Sequence, residues 1–401
     1  MNIKSSHLNI VFMGNFPYPH GLAGTKRVQS FIDYLCSINI VPRVLILRQG
    51  GEQVPKSQLQ GYYSSIYYRT IGYGFNFSPQ MLYKLPWFFI NGCISLIRWR
   101  KTNLTNYLYC YNGLDIENVF FVLVAKALGY YIIFDVVEDF SCVGEEQQHL
   151  LSKLKNRSWV FFDRFILNLA DAVIVISKYL KDRYDLRNSK QIPVYLIPVT
   201  AKCSERGHRE KNSDGTIKFL YAGSFSAKDD VMTLIRAFEH VQREKGKCKL
   251  FLSGKGSYLE AVKNKIRENQ SIEYVGYLPD KDFYGFLERA DVLCMVRTNS
   301  TYANAGFPFK LGEYLATGKP VIASKVGDVA TYLRDGQDVF LVEPCNVNAL
   351  ERAMEYCIDD YSAAAEVGRS GMERCKTFFN PRVNGKLLLQ LMNICTNQHM
   401  G

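Results

Sequence analysis

Residues 306–323 read GFPFKLGEYLATGKPVIA. Pro308 suits the start of a helix, because its fixed φ matches the first turn and its missing N–H is one that the first turn leaves unpaired anyway. From Phe309 to Thr317 the apolar residues recur at helical spacing, and Gly318 followed by Pro320 ends the run before a β-branched strand, Val321 to Ala323. A helix feeding a short apolar strand is the repeating unit of a parallel α/β sheet. Lys310 and Glu313 stand three residues apart and share one helix face. As a surface ion pair they would contribute about 0.2–0.5 kcal/mol. At a helix start that faces a cleft, the ammonium can meet a phosphate and the carboxylate can accept bonds from sugar hydroxyls.

The same alternation runs outward in both directions. Towards the carboxyl terminus of residue 216 the strands expected are Lys218 to Ala222, Lys249 to Ser253, Ile272 to Val275, Val292 to Val296, Val321 to Ala323 and Val339 to Val342. Helices Val231 to Arg243, Tyr258 to Glu268 and Phe309 to Thr317 fall between them, and closing helices run to about Thr396. In the first half the strands expected are Leu8 to Met13, Val41 to Leu47, Tyr107 to Cys110, Tyr131 to Val136, Ala172 to Ile176 and Val194 to Ile197. The helices there are Thr25 to Ser37, Glu117 to Leu128 and Trp159 to Leu169. Residues 200–216, TAKCSERGHREKNSDGT, are polar and almost free of large apolar groups, which marks a boundary. The expectation is an α/β fold with two Rossmann-like, doubly wound domains facing across a cleft: residues 1–200, a linker at 201–216, and 217–401 with the last helix returning to the first domain. Ligands of such sheets bind at the carboxyl ends of the strands.

Composition agrees. The chain has 401 residues, 47% hydrophobic and 22% charged, which suits two globular domains and excludes a disordered or fibrous chain. Eleven cysteines without a C-x-x-C pair read as reduced thiols, hence a reducing, cytoplasmic setting. The apolar stretch Leu8 to Met13 is too short for a secretory signal, and no run approaches the roughly 20 apolar residues of a membrane span.

Charge is unevenly placed. Lys and Arg exceed Asp and Glu by 49 − 38 = 11. Residues 1–110 hold eleven Lys or Arg against Asp33 and Glu52, a balance of +9. Residues 83–101, YKLPWFFINGCISLIRWRK, combine apolar and aromatic residues with a basic end. Such a segment fits peripheral contact with an anionic membrane on its inner face, or an ordinary core helix with a solvated end. Nucleic acid is not expected as a partner, since no recognition motif accompanies the basic residues.

Glycines follow strands at Gly14, Gly24, Gly223, Gly254 and Gly256, where a tight turn brings backbone N–H groups towards a phosphate. Gly254-x-Gly256 lacks the third glycine of a dinucleotide fingerprint, so a nicotinamide cofactor is not expected. A cluster of segments in order resembles the family-4 retaining glycosyltransferases of GT-B fold: AGTKR from Ala23, ADAVIVIS from Ala170, YAGSFSAKDDVMTLIRAF from Tyr221, LSGKGSYLE from Leu252, VGYLP from Val275, ADVL from Ala290 and GFPFKLGEYLATGKPVIAS from Gly306.

The resemblance implies transfer of a sugar, with retention, from a nucleotide sugar to a glycan or lipid-linked acceptor in cell-surface polysaccharide assembly. It places the donor on the carboxyl-terminal domain and the acceptor on the amino-terminal one. Glu313 matches a glutamate that binds the nucleotide ribose, Gly24 a glycine beside the donor diphosphate, and Gly276 and Tyr277 a stretch at the base. Arg27, Gly223, Ser224, Lys228, Gly254, Arg297, Gly306, Phe307, Pro308, Lys310 and Leu311 complete the donor-side candidates. Glu138 and Asp139 are acceptor-side candidates, or helix-start acids. No residue is assigned as catalytic nucleophile, because the donor phosphate itself helps deprotonate the acceptor in the route usually proposed for the family. No cofactor or metal is implied beyond the nucleotide-sugar co-substrate.

Two departures stand out. Ala305 lies eight residues before Glu313, where the family has a second glutamate, and Ser224 with Asp229 and Asp230 stand where it often has Arg and Lys-Gly. Lys310 and Arg297 are the cations that could compensate. Alternative readings are a catalytically silent GT-B protein that binds a glycan or a partner, and a sugar-nucleotide epimerase.

Overall fold

The computed structural model describes residues 7–21, 23–49, 59–73, 80–142, 150–203 and 215–398. The chain divides into two compact units, Met1–Pro198 joined by Pro381–Gly401, and Val199–Asn380.

The first unit runs β1 (Leu8–Gly14), α1 (Ala23–Ser37), β2 (Arg43–Gln49), β3 (Gln60–Tyr63), β4 (Ile66–Tyr73), α2 (Gln80–Trp99), β5 (Thr105–Tyr111), α3 (Val119–Ala127), β6 (Tyr131–Val136), α4 (Leu150–Asp163), α5 (Ile166–Leu169), β7 (Ala172–Val175), α6 (Lys178–Arg187) and β8 (Val194–Leu196). The sheet order is β3-β4-β2-β1-β5-β6-β7-β8, and every pair is parallel except β3 with β4. All seven residues of β1 are buried, as a central parallel strand covered on both faces requires. One face packs on Val28, Phe31, Ile32 and Leu35 of α1 and on Leu388, Leu391 and Met392 of the carboxyl-terminal helix, Pro381–Gln398.

Three features differ from expectation. The β3–β4 hairpin was not anticipated: β3 is an edge strand alternating exposed and half-buried residues, and its turn places Ser64 at φ 54° where glycine or asparagine is the usual signal. The helix expected from Trp159 to Leu169 begins earlier, at Leu150, and divides into α4 and α5. The expected linker at 201–216 is part of the second unit at its start, where the Ala201 amide donates to the Phe379 carbonyl at 2.8 Å; residues 204–214 lie outside the described residues.

The second unit runs β9 (Ile217–Ser224), α7 (Val231–Lys245), β10 (Cys248–Lys255), α8 (Leu259–Ile266), β11 (Ile272–Tyr274), α9 (Asp280–Glu288), β12 (Val292–Met295), α10 (Thr301–Ala305), α11 (Phe309–Leu315), β13 (Val321–Ser324), α12 (Val329–Tyr332), β14 (Phe340–Val342), α13 (Val347–Asp359) and α14 (Tyr361–Phe378). Its sheet, β11-β10-β9-β12-β13-β14, is wholly parallel. Leu234, Ile235 and Phe238 of α7 and Leu350 and Met354 of α13 cover one face. The strand order reverses direction at β9, so β9 and β12 diverge at their carboxyl ends and leave room there for a ligand. Among the described residues no helix is long and apolar enough to cross a membrane. All eleven cysteines are free thiols.

Candidate functional site

The carboxyl ends of β9, β10 and β12 carry the polar cluster of the second unit. β9 and β10 pair Gly223 with Gly254 and Ser224 with Lys255, bringing two glycine turns side by side. Gly254 has φ 153°, and a Cβ there would lie 1.8 Å from the Gly223 carbonyl oxygen, so only glycine fits this close approach. At Gly223 a Cβ would stand 2.4 Å from Lys310 Nζ; the missing side chain makes room for the ammonium.

Lys310 lies in the first turn of α11. Its Nζ donates to Asp229 Oδ1 at 2.9 Å and to the Tyr221 hydroxyl at 2.7 Å, and it sits 4.3 Å from the centre of the Tyr221 ring. Asp229 is almost fully buried and also accepts from Ser224 Oγ at 2.5 Å and Ser226 Oγ at 2.6 Å. Burial works to raise its carboxyl; the charges of Lys310 and Arg297 and the two serine hydroxyls outweigh it and hold the group well below the usual carboxylate range. Asp229 is therefore ionised.

Two further cations stand near this pair. Arg297, two residues past β12, is 6% exposed, donates from Nη1 to the Ala303 carbonyl at 3.2 Å, and has no partner for Nε among the described residues. Lys228 reaches the Tyr302 hydroxyl at 3.3 Å and stands 4.5 Å from that ring's centre. Arg297 and Lys228 both act electrostatically on Lys310, and Lys310 and Arg297 both act on Asp229, so the cations gather at one place. Burial first, and then the charges of Arg297 and Lys228, lower the Lys310 ammonium from its usual value, although Asp229 acts in the other direction. A group in that state gains from an added anion.

Glu313, one turn further along α11, is half-buried and accepts from the Tyr284 hydroxyl of α9 at 3.4 Å. Gly276 has φ 85°, and its carbonyl accepts from the Gly254 amide at 3.1 Å and from Ser253 Oγ at 2.9 Å. The exposed Tyr277 ring lies 4.1 Å from Lys255 Nζ. Gly306 and Pro308 cap α10 and α11 respectively.

The structure places the remaining candidates as follows. The Phe307 ring is buried, with ring centres 5.6 Å from Tyr332 and 5.4 Å from Phe379, and Leu311 is fully buried; neither side chain offers surface to a ligand. In the first unit Gly24 begins α1, where a Cβ would meet the Tyr111 ring at 2.9 Å. Arg27 is 1% exposed, and its guanidinium donates to both oxygens of Asp135, at 2.7 and 2.9 Å, and to the carbonyls of Ile197 and Pro198, at 2.9 and 2.7 Å. It ties α1 to the strand ends and is spent on the fold. Asp139 precedes the short 3-10 turn Phe140–Cys142, accepts from the Ser141 amide at 2.9 Å and pairs with Arg183. Glu138 is half-buried, and its charge adds to burial and Asp135 in raising the Tyr111 phenol.

Sequence reasoning missed the anchoring role of Asp229 and the parts of Tyr221, Ser226 and Tyr302. The available signal was an acid where a cation is usual, five residues after a strand-end serine. Among the described residues no group of three His, Cys, Asp or Glu is placed to hold a metal ion.

Residues 216–360 match the family described as Glycosyl transferases group 1. An uncharacterized glycosyltransferase of Methanocaldococcus jannaschii is 24% identical over 238 residues, covering 59% of this chain and 62% of that protein. The chain thus matches just under two thirds of this curated relative's length. Sucrose-phosphate synthase of Thermosynechococcus elongatus superposes with a TM-score of 0.72 at 17% identity, over 98% of this chain and 100% of that one. HepE of Anabaena, in complex with UDP-glucose, gives a TM-score of 0.68 at 14% identity, over 97% and 99%. The fold is α/β with two parallel-sheet domains of GT-B type, and the comparisons support a glycosyl transferase group 1 relationship.

Proposed function

We propose that this protein is a glycosyltransferase that moves a sugar, with retention, from a nucleoside-diphosphate sugar to a glycan or lipid-linked acceptor in cell-surface polysaccharide assembly at the inner face of a membrane. The observation that carries the reading is the gathering of Lys310, Arg297 and Lys228 around the buried Asp229 near the carboxyl ends of β9 and β12, a cationic cluster of the kind that suits a diphosphate. Similarity of residues 216–360 to Glycosyl transferases group 1 supports it.

In this reading Lys310 exchanges part of its contact with Asp229 for the diphosphate, and Asp229 keeps the ammonium aimed while Ser224 and Ser226 hold Asp229. Arg297 supplies the donors that are idle in the present arrangement. Glu313 accepts bonds from the ribose hydroxyls, and Tyr277 lies on the side of the base. As the bond from the anomeric carbon to the diphosphate oxygen breaks, the acceptor oxygen bonds to that carbon on the same face. The acceptor proton passes to the departing diphosphate, so atoms and charge balance. The chain's own work is positioning and stabilising the departing charge with fixed cations. Ala305 leaves no carboxylate at the donor sugar, consistent with a reaction that needs no protein nucleophile.

The test is release of nucleoside diphosphate from a panel of nucleotide sugars, with and without glycan acceptors. Turnover of at least one donor that rises with acceptor is expected. Failure to bind or turn over any donor would refute the proposal, and nucleotide binding without turnover would favour the silent binding protein.

A further inference from the structure

The outer surface of one helical layer gathers several exposed apolar residues. α2 packs on β2 and β4, α3 packs on β6, α2 touches α3, and α3 touches α5. Their inner residues, among them Phe88, Leu96, Phe121 and Val122, are buried against the sheet side. Their outer residues are also apolar: Trp87 is 65% exposed, Ile97 57% and Leu123 50%, with Ile90, Phe120 and Phe165 exposed beside them. Ring contacts make the patch continuous, Phe89 to Phe120 at 4.8 Å and Phe161 to Phe165 at 5.6 Å. In the second unit the exposed large apolar residues among those described are three tyrosines, Tyr277, Tyr284 and Tyr356.

Charge on this layer has one sign. α2, α3 and α5 contain no Asp or Glu, and Asp163, the acid of α4, is buried against Arg183 and Arg187. Exposed cations border the patch at Lys84, Arg98, Arg100, Lys101, Arg157 and Arg164. Among the described residues of α2, α3 and α5, a second copy of this surface would bring cations against cations with no carboxylate on those helices to separate them. An anionic bilayer complements both properties, taking tryptophan and aliphatic side chains at headgroup depth and cations on its phosphates.

We propose that the outer surface of α2, α3 and α5 seats the protein on an anionic lipid surface, and that this contact extends well beyond residues 83–101. The proposal deepens the membrane-face part of the proposed function by naming the surface, and it stands or falls separately from the donor site.

The experiment uses the full chain with vesicles of phosphatidylcholine alone or mixed with phosphatidylglycerol. Trp87 is a built-in reporter, because Trp99 and Trp159, the other two tryptophans, are 8% and 2% exposed. Cosedimentation and a blue shift of tryptophan emission are expected with the anionic vesicles, weakening as salt is raised. Two variants at exposed positions keep the test independent of folding. Trp87→Ser with Leu123→Ser should abolish the blue shift, and Lys84→Glu with Arg98→Glu and Lys101→Glu should lower partitioning about a hundredfold or more. Both variants should retain the wild-type nucleotide-induced thermal shift, which separates this result from the donor-site reading. The proposal is overturned if the wild-type protein stays in the supernatant with anionic vesicles at low salt, or if binding ignores lipid charge. It is equally overturned if the chain self-associates without lipid and the same variants abolish that association.

Discussion

Arg27 and Lys310 make an instructive pair. Each is a basic residue early in a helix that follows a glycine, and each meets a buried aspartate, Asp135 or Asp229. Arg27 is matched one to one by its carboxylate, and its remaining donors end on backbone carbonyls. Lys310 pairs with Asp229, on which the charge of Arg297 also acts, and keeps a narrow opening, 12% of its side chain. A buried charge closed off by its partners reads as architecture; one that keeps an opening among other cations is the one proposed to meet a ligand.

The largest effect should come from breaking the completed pair. Arg27→Ala leaves Asp135 buried and uncompensated, with Tyr109 still bonded to it, and should destabilise the first unit by about 3–5 kcal/mol. Thermal or denaturant unfolding reads this directly; an unchanged midpoint would show the pair to be incidental. Lys310→Ala should spare the fold to a greater degree and act on the ligand, weakening nucleoside-diphosphate binding by about ten- to a hundredfold, the range for a charged hydrogen bond. Calorimetry should show that loss; equal affinity in variant and wild type would place the diphosphate elsewhere. Glu313→Ala removes an acceptor near the opening and leaves the cations intact, so a smaller loss of about tenfold is expected, in nucleoside and nucleoside diphosphate alike.

The smallest effect is in pH dependence, and it sharpens the contrast. Binding of an anion favours protonated Lys310, whose ammonium is depressed in the free protein, first by burial. Nucleoside-diphosphate affinity should therefore fall as pH rises through that lowered value, ahead of an ordinary lysine, and Lys310→Arg should remove the fall. Asp229 acts on stability instead: its folded value is lowered, so its contribution is present in full above the ordinary carboxylate value near ~4 and is lost as pH falls through the lowered one. Asp229→Asn should flatten that acid limb in unfolding measurements.

Much of this was legible in the sequence. Apolar runs such as Tyr131 to Val136 are buried on both faces and bounded by turn residues, so they announce themselves as parallel strands. The GFPFKLGEYLATGKPVIA stretch marked its own helix and strand for the same reason. The β3–β4 hairpin did not, since an edge strand lacks a fully apolar face and Ser64 carries a backbone angle that favours glycine. Residue roles were harder to read than elements. Arg27 and Lys310 carry similar local signals, and their difference lies in partners more than eighty residues away, Asp135 for one and Asp229 for the other. Phe307 and Leu311 stand inside the GFPFKLGEYLATGKPVIA stretch and serve the core, because a helix start must bury one side to present the other.

The direct test compares a nucleoside with its diphosphate, uridine with UDP and the guanosine, adenosine and cytidine counterparts, by the rise in unfolding temperature they cause in the wild type and in Lys310→Ala. At least one diphosphate should stabilise the wild type well beyond its nucleoside, and the variant should lose most of that difference while unfolding normally without ligand. Equal shifts from nucleoside and diphosphate in the wild type, or a difference that survives in Lys310→Ala, would contradict the diphosphate seat.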